Sequence, residues 1–225
     1  MIVCQLIEGI NLKPPIGALG FASVTLIKGE SKNILFDVGG FGAREVISAI
    51  KKQNLVDCIF ISHLHFDHSS NLDLYCNTDI PIYINTKELV YYKDTYDSNK
   101  ESDMFPYFKT IADSLLVYEF EGSIELDRGI RTLETPGHTF GHSSLEITKG
   151  NQRLLIAGDA IKSINDYHND EDYSNAYDPQ NCISTKRKIK QENFDYIIPG
   201  HDKMFNVKCN DNQYFRCVKK NLRYF

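Results

Sequence analysis

Apolar positions in this chain recur mostly with a period of two or as short unbroken runs, the pattern of half-buried and fully buried β-strands. "FASVTLIKG" (21–29) and "KNILFDVG" (32–39) read as two strands around the turn-forming Gly29-Glu30-Ser31. Gly39, Gly40 and Gly42 then break the pattern, and "AREVISAIKKQN" (43–54) switches to helical spacing through Val46, Ile47 and Ile50. "DCIFIS" (57–62) is a continuous apolar run, as expected of a buried strand. Strands resume at "SLLVYEF" (114–120), "GIRTLETP" (129–136), "HSSLEITKG" (142–150) and "QRLLIAGD" (152–159). A loop rich in acid and tyrosine (166–179) precedes a helix over about 180–192, "FDYIIPGHD" (194–202) is a last buried strand, and residues 210–225 are predicted as a C-terminal helix.

Between the strand-rich halves, 86–113 reads as two short helices around a polar stretch at Asp97–Asp103. Its aromatic residues Tyr91, Tyr92, Phe105, Tyr107 and Phe108 fit either packing or an inserted cap over a pocket. No repeat, low-complexity segment or linker divides the chain, so residues 1–225 are expected to form a single domain.

Composition narrows the function classes. A formal net charge of −5 argues against a nucleic-acid partner, which needs a basic face. The one basic run, "STKRKIK" (184–190), reads as the solvated side of a helix. The first residues lack the basic-then-apolar pattern of a signal peptide, and no apolar run is long enough to span a bilayer. Six cysteines are scattered without a C-x-x-C pair, and the expectation is free thiols in a cytoplasmic protein, with Cys58 a small core residue.

Three of the seven histidines fall within "SHLHFDHSSN" (62–71), where a predicted strand gives way to a loop. Neutral imidazole binds transition metals through one ring nitrogen. On an extended segment His63 and His65 point the same way, while Asp67 and His68 lie beyond a turn, so the spacing suits two adjacent cations better than one. Two cations need more ligands. "TPGHTFGH" supplies His138, "IAGDA" supplies Asp159 and "IIPGHD" supplies His201, each beside a glycine that permits close backbone approach.

"HLHFDH", "TPGHTFGHSS", "AGDA" and "PGHD", in that order, with "ILFDVGG" before them, resemble the metallo-β-lactamase superfamily over roughly residues 20–205. The resemblance implies an α+β, four-layer αβ/βα sandwich. It implies two divalent metals, usually zinc and sometimes iron or manganese. Carried onto this chain, His63, His65 and His138 would bind the first, Asp67, His68 and His201 the second, and Asp159 would bridge them. Asp37 would orient a ligand histidine, and His142 would play a similar supporting part. The implied function is a dinuclear metal-dependent hydrolase using a metal-bridging hydroxide, with Asp67 assisting the leaving oxygen. The motifs are most similar to the acyl-homoserine lactonase-like branch, which favours a small-molecule ester or lactone. That branch usually has a tyrosine three residues after the bridging aspartate, and Lys162 stands there instead as a candidate substrate contact. A glyoxalase-II-like thioesterase, a phosphodiesterase or nuclease, and a non-catalytic metal-binding scaffold or sensor are the competing readings. The oligomeric state, a homodimer included, is left open.

Overall fold

The computed structural model describes residues 1–12, 19–98, 104–169 and 176–208. The first half comprises β1 (Ile2–Ile7), the strands β2 (Ile10–Leu12) and β3 (Leu19–Phe21), β4 (Val24–Lys28), β5 (Asn33–Phe36), helix α1 (Arg44–Lys52), β6 (Cys58–Phe60), a single helical turn α2 (Phe66–Ser69), β7 (Ile82–Asn85), helix α3 (Thr86–Ser98), a second turn α4 (Phe108–Ile111) and β8 (Val117–Phe120). The second half comprises β9 (Glu125–Asp127), β10 (Ile130–Glu134), β11 (Ser143–Lys149), β12 (Gln152–Gly158), helices α5 (Ile164–Asn169) and α6 (Pro179–Gln191), β13 (Tyr196–Pro199) and β14 (Phe205–Asn206).

Two six-stranded mixed sheets result, ordered β1-β4-β5-β6-β7-β8 and β14-β13-β12-β11-β10-β9. Strand alternation divides the apolar side chains between two environments. Ile27, Ile34, Phe36, Cys58 and Phe60 of the first sheet meet Ile130, Leu145, Ile147, Ile156 and Ile198 of the second. Their neighbours Leu26, Leu35, Ile59 and Ile61 point outward onto a layer containing Ile47 and Ile50 of α1. On the far side, Leu155, Ala157 and Ile197 pack against Ile189 of α6 and Tyr167 of α5. This is the four-layer αβ/βα sandwich expected from the motifs. Cys58 lies in the inter-sheet layer, where burial pushes its thiol up to about 11.

Strands β4, β5, β6, β10, β11, β12 and β13 and helices α1 and α6 fall where the apolar pattern places them, whereas β1, β7 and α3 do not. The segment predicted as two short helices begins with one of thirteen residues, α3. Of its polar stretch, Asp97 and Ser98 belong to α3, while residues 99–103 and the predicted helix at 210–225 lie outside the described residues. Tyr91, Tyr92, Phe105 and Phe108 are buried in the layer that covers the first sheet, whereas Tyr107 is exposed. The acidic loop expected from 166 is in part helix, α5, and residues 170–175 of it are outside the described set.

The basic run also departs from expectation. Arg187 and Lys188 are solvated, but Lys186 is 1% exposed. Its ammonium donates to Asp166 Oδ1 at 2.6 Å and to the Asp166 carbonyl at 2.9 Å, tying α6 to α5. A charge run has no period, so the one member turned inward is invisible in it. Lys186→Met leaves the Asp166 carboxylate buried without its cation, and about 3–5 kcal/mol of stability is expected to be lost in urea unfolding. A midpoint unchanged from wild type would refute that account.

Candidate metal centre

Two pairs of parallel strands end at one edge of the sandwich. β5 and β6 pair in parallel through Phe36 and Phe60, so Asp37 and the Ser62–His63 segment emerge side by side. β12 and β13 pair in parallel up to Gly158 and Pro199, which brings out Asp159 and His201 together. His138 sits in the loop joining β10 to β11, and the Ser143 amide donates to the Ser62 carbonyl (3.0 Å), stitching the two sheets together at this edge. Chemistry beyond the carboxyl ends of parallel strands is the usual placement in open α/β sheets.

The seven side chains read as ligands from the sequence converge here. Ligand atoms of His63, His65 and His138 lie within 4.8 Å of one another, as do those of Asp67, His68 and His201, and those of His63, His68 and Asp159. His65 Nδ1 and His138 Nε2 are 2.9 Å apart, close enough to share a proton or a cation. Asp159 faces both groups. Its Oδ1 is 3.2 Å from His68 Nε2 and 3.1 Å from His201 Nε2, and its Oδ2 is 3.2 Å from His138 Nε2. Asp67 Oδ2 is 3.5 Å from His201 Nε2 and 3.8 Å from His68 Nε2.

Hydrogen bonding behind the imidazoles fixes which nitrogen faces the centre. Asp37, fully buried at φ 55°, accepts from the Ser62 amide (2.8 Å), the Ser62 hydroxyl (2.8 Å) and His68 Nδ1 (2.7 Å). With the Ser62 proton committed to Asp37, Ser62 Oγ accepts from His63 Nδ1 at 3.0 Å. His201 Nδ1 donates to the Phe21 carbonyl at 3.2 Å. Each of these Nδ1 contacts turns the Nε2 of the same ring toward the centre. His142 is placed differently. Its Nε2 accepts from the Asp159 amide (3.0 Å), so its Nδ1 donates to Thr135 Oγ1 (2.8 Å), which passes its own proton to Ser144 Oγ (2.8 Å). It holds the backbone of Asp159 and faces the centre only through that residue.

Burial is the largest influence on these groups. It pushes His63 and His138 well below the ordinary imidazole range and His65 and His142 down to about 3, with the Lys162 ammonium adding to the shift at His65, His138 and His142. At His68 and His201 burial acts in the same sense but is outweighed by carboxylates: Asp67, Asp159 and Asp37 raise His68, and Asp159 and Asp67 raise His201. Burial alone would raise Asp159, yet His201, His138 and His68 hold it well below the usual carboxylate range. Asp37 rises by burial, partly offset by His68 and Ser62.

Divalent cations fit this donor set. His63 Nε2, His68 Nε2 and Asp159 Oδ1 are buried and have no hydrogen-bond partner among the described residues. Buried polar atoms normally find a partner, and neutral imidazoles mixed with carboxylates are transition-metal ligands. Lys162 is half-buried, and its carbonyl accepts from the His201 amide at 2.8 Å. Three residues at the centre carried no sequence signal: Ser62, Thr135 and Glu88, whose roles rest on contacts with groups distant in the chain. His168 lies away from the centre, against Tyr167 and Phe205.

A family model described as the metallo-beta-lactamase superfamily matches residues 17–201. The chain belongs to that superfamily. Among its curated relatives within the superfamily, an N-acyl homoserine lactonase from a Bacillus species is 30% identical over 149 residues, 64% of this chain and 55% of the relative. The chain thus matches about half the length of that lactonase. A probable metallo-hydrolase from Methanocaldococcus jannaschii is 27% identical over 189 residues, 81% of this chain and 88% of the relative. A solved structure of Bacillus thuringiensis AiiA with N-decanoyl-L-homoserine at its active site shares the superfamily fold, at a TM-score of 0.66 and 21% identity over 89% of this chain and 92% of that one.

Proposed function

We propose that the chain is a hydrolase of carboxylic esters or lactones that works with two divalent metal ions, with zinc the first candidate and iron or manganese the others. The observation that carries this reading is the position of Asp159 between the two histidine groups, with Oδ1 3.1–3.2 Å from His68 and His201 and Oδ2 3.2 Å from His138 and 3.3 Å from His201. One group, His63, His65 and His138, would hold one ion, and Asp67, His68 and His201 the other, with Asp159 between them.

Bound ions would supply Lewis acidity, bringing the pKa of water toward neutrality and polarising a substrate carbonyl. The chain's own residues supply the rest. Asp37 fixes the two imidazoles His63 and His68, one through Ser62 and one directly, so that neither can turn away. His142 fixes Asp159. Asp67 has the most exposed side chain of the carboxylates, at 13% against 4% for Asp159, and is the one placed to carry a proton to the leaving oxygen. Lys162 brings a positive charge to the same edge, where it can meet a carbonyl or carboxylate oxygen. Exposed Phe41, Phe66 and Tyr107 border a cavity of about 280 Å³ next to the Phe66–Ser69 turn, and Phe140 meets Tyr177 edge-on beside the His138 loop. Such aromatic walls suit a small organic substrate with an apolar tail.

The test is ring opening of an acyl-homoserine lactone by zinc-, manganese- and iron-loaded protein. A kcat/KM of about 10⁴ M⁻¹ s⁻¹ or more is expected with at least one metal. Full metal loading without ring opening would remove the lactone assignment and turn the search to thioesters and phosphodiesters.

A further inference from the structure

The buried carboxylate of Glu88 lies on α3, in the layer outside the first sheet. It is 0% exposed. Its Oε1 accepts from the Leu64 amide at 2.9 Å, and its Oε2 accepts from the Thr139 hydroxyl at 2.7 Å and the Gly141 amide at 3.1 Å. Leu64 is the residue between His63 and His65, and Thr139 directly follows His138. One carboxylate therefore fastens both loops that carry the His63, His65 and His138 group, one from each half of the sandwich.

The surroundings leave this junction little play. A Cβ on Gly141 would come within 2.0 Å of the Glu88 amide nitrogen, so the His138 loop rests directly on the first turn of α3. Just before that turn, Asn85 donates to Ser143 Oγ (3.1 Å) at the far end of the same loop. On the other side, the Phe105 amide donates to the Leu64 carbonyl (2.8 Å), so both polar groups of the Leu64 backbone are engaged.

We infer that Glu88 is a positioning residue that sets the spacing of His63 and His65 relative to His138 and so tunes the affinity of that group for a metal ion. The inference rests on the two-metal reading above. It also calls for a carboxylate specifically, because the Leu64 amide, the Thr139 hydroxyl and the Gly141 amide are all donors, divided between its two oxygens. A glutamine of the same shape has one accepting oxygen and would aim an NH₂ group at a donor.

The experiment is cobalt(II) binding by wild type and Glu88→Gln, measured by competition with a chromophoric chelator, with the visible cobalt spectrum and the thermal midpoint of the metal-free protein recorded alongside. Two equivalents are expected in wild type. In Glu88→Gln one equivalent should weaken about 10–100-fold with a changed spectrum, while the other is retained. A purely structural role would lower the thermal midpoint without moving the affinity of the folded variant. Wild-type affinity and spectrum in folded Glu88→Gln would overturn the inference. If that variant does not fold, Thr139→Val, which removes a single donor at similar volume, should weaken the same equivalent by about tenfold, and unchanged affinity there would equally overturn it. Failure of wild type to bind cobalt would instead retire the two-metal reading, so the two failures are distinguishable.

Discussion

Asp159→Asn is expected to leave the fold intact and to lower kcat/KM for lactone or ester hydrolysis by about 10³-fold, equivalent to about 4 kcal/mol of lost transition-state stabilisation. The change is nearly isosteric. The contact that holds the residue's backbone, its amide on His142 Nε2, does not involve the side chain and survives. What changes is the face shown to the imidazoles. The carboxylate presents one oxygen to His68 and His201 and the other to His138 and, at 3.3 Å, again to His201, whereas the amide presents an oxygen to one side and a donor to the other. A lone pair and a unit of negative charge are lost together at the one residue that both histidine groups share. Turnover should therefore fall further than metal content. Parallel measurement of kinetics, bound metal and circular dichroism separates these effects. Wild-type turnover in a folded variant with full metal content would rule out Asp159 as the shared ligand.

The sequence made this centre legible because its donors are either adjacent or flagged by context. His63, His65, Asp67 and His68 fall within six positions, and Asp159 and His201 each follow an apolar strand and lie next to a glycine. The supporting groups are less evenly legible. Asp37 and His142 stand in motifs that resemble the superfamily's. Glu88 gives no warning, since two of its partners are backbone amides that any residue type could supply. Lys186 was hidden by its solvated neighbours in the basic run. For the fold, β4 and β5 were readable as short apolar runs on either side of a turn. The missed strand β1 is an edge strand, partly exposed along nearly its whole length, and so lacks the contrast between faces that a periodicity argument needs. β7 runs straight into α3 at Thr86, with no turn residues between them to mark where the strand ends.

Removing metal should cost the protein more stability than any single substitution considered above. For ions present at about 1,000 times their dissociation constants, linkage gives about 4 kcal/mol per site and about 8 kcal/mol for two, and a chain of this length changes its thermal midpoint by about 2–4 °C per kcal/mol. A chelator is therefore expected to lower the midpoint by roughly 15–30 °C. The loss should also depend on pH in a definite sense. In the metal-free protein Asp67 and Asp159 raise His68 and His201 above the ordinary imidazole value, so protons take over part of the charge balance. Groups raised in the folded state contribute stability that is fully present below the unfolded value, about 6.5, and is lost as pH rises through the folded value. His63, His65, His138 and His142 are depressed, and as histidines they have the opposite effect: they withdraw stability as pH falls below about 6.5, because the unfolded chain then binds more protons. Metal-free protein should thus be most stable near neutrality and weaken toward pH 9. In loaded protein, rising pH removes the protons that compete for the same nitrogens and strengthens binding. The gap between loaded and chelated midpoints is accordingly expected to widen from pH 7 to pH 9. Thermal scans at several pH values with and without chelator measure it directly, and a gap that is absent, or that narrows over this range, would contradict a centre built from these imidazoles and carboxylates.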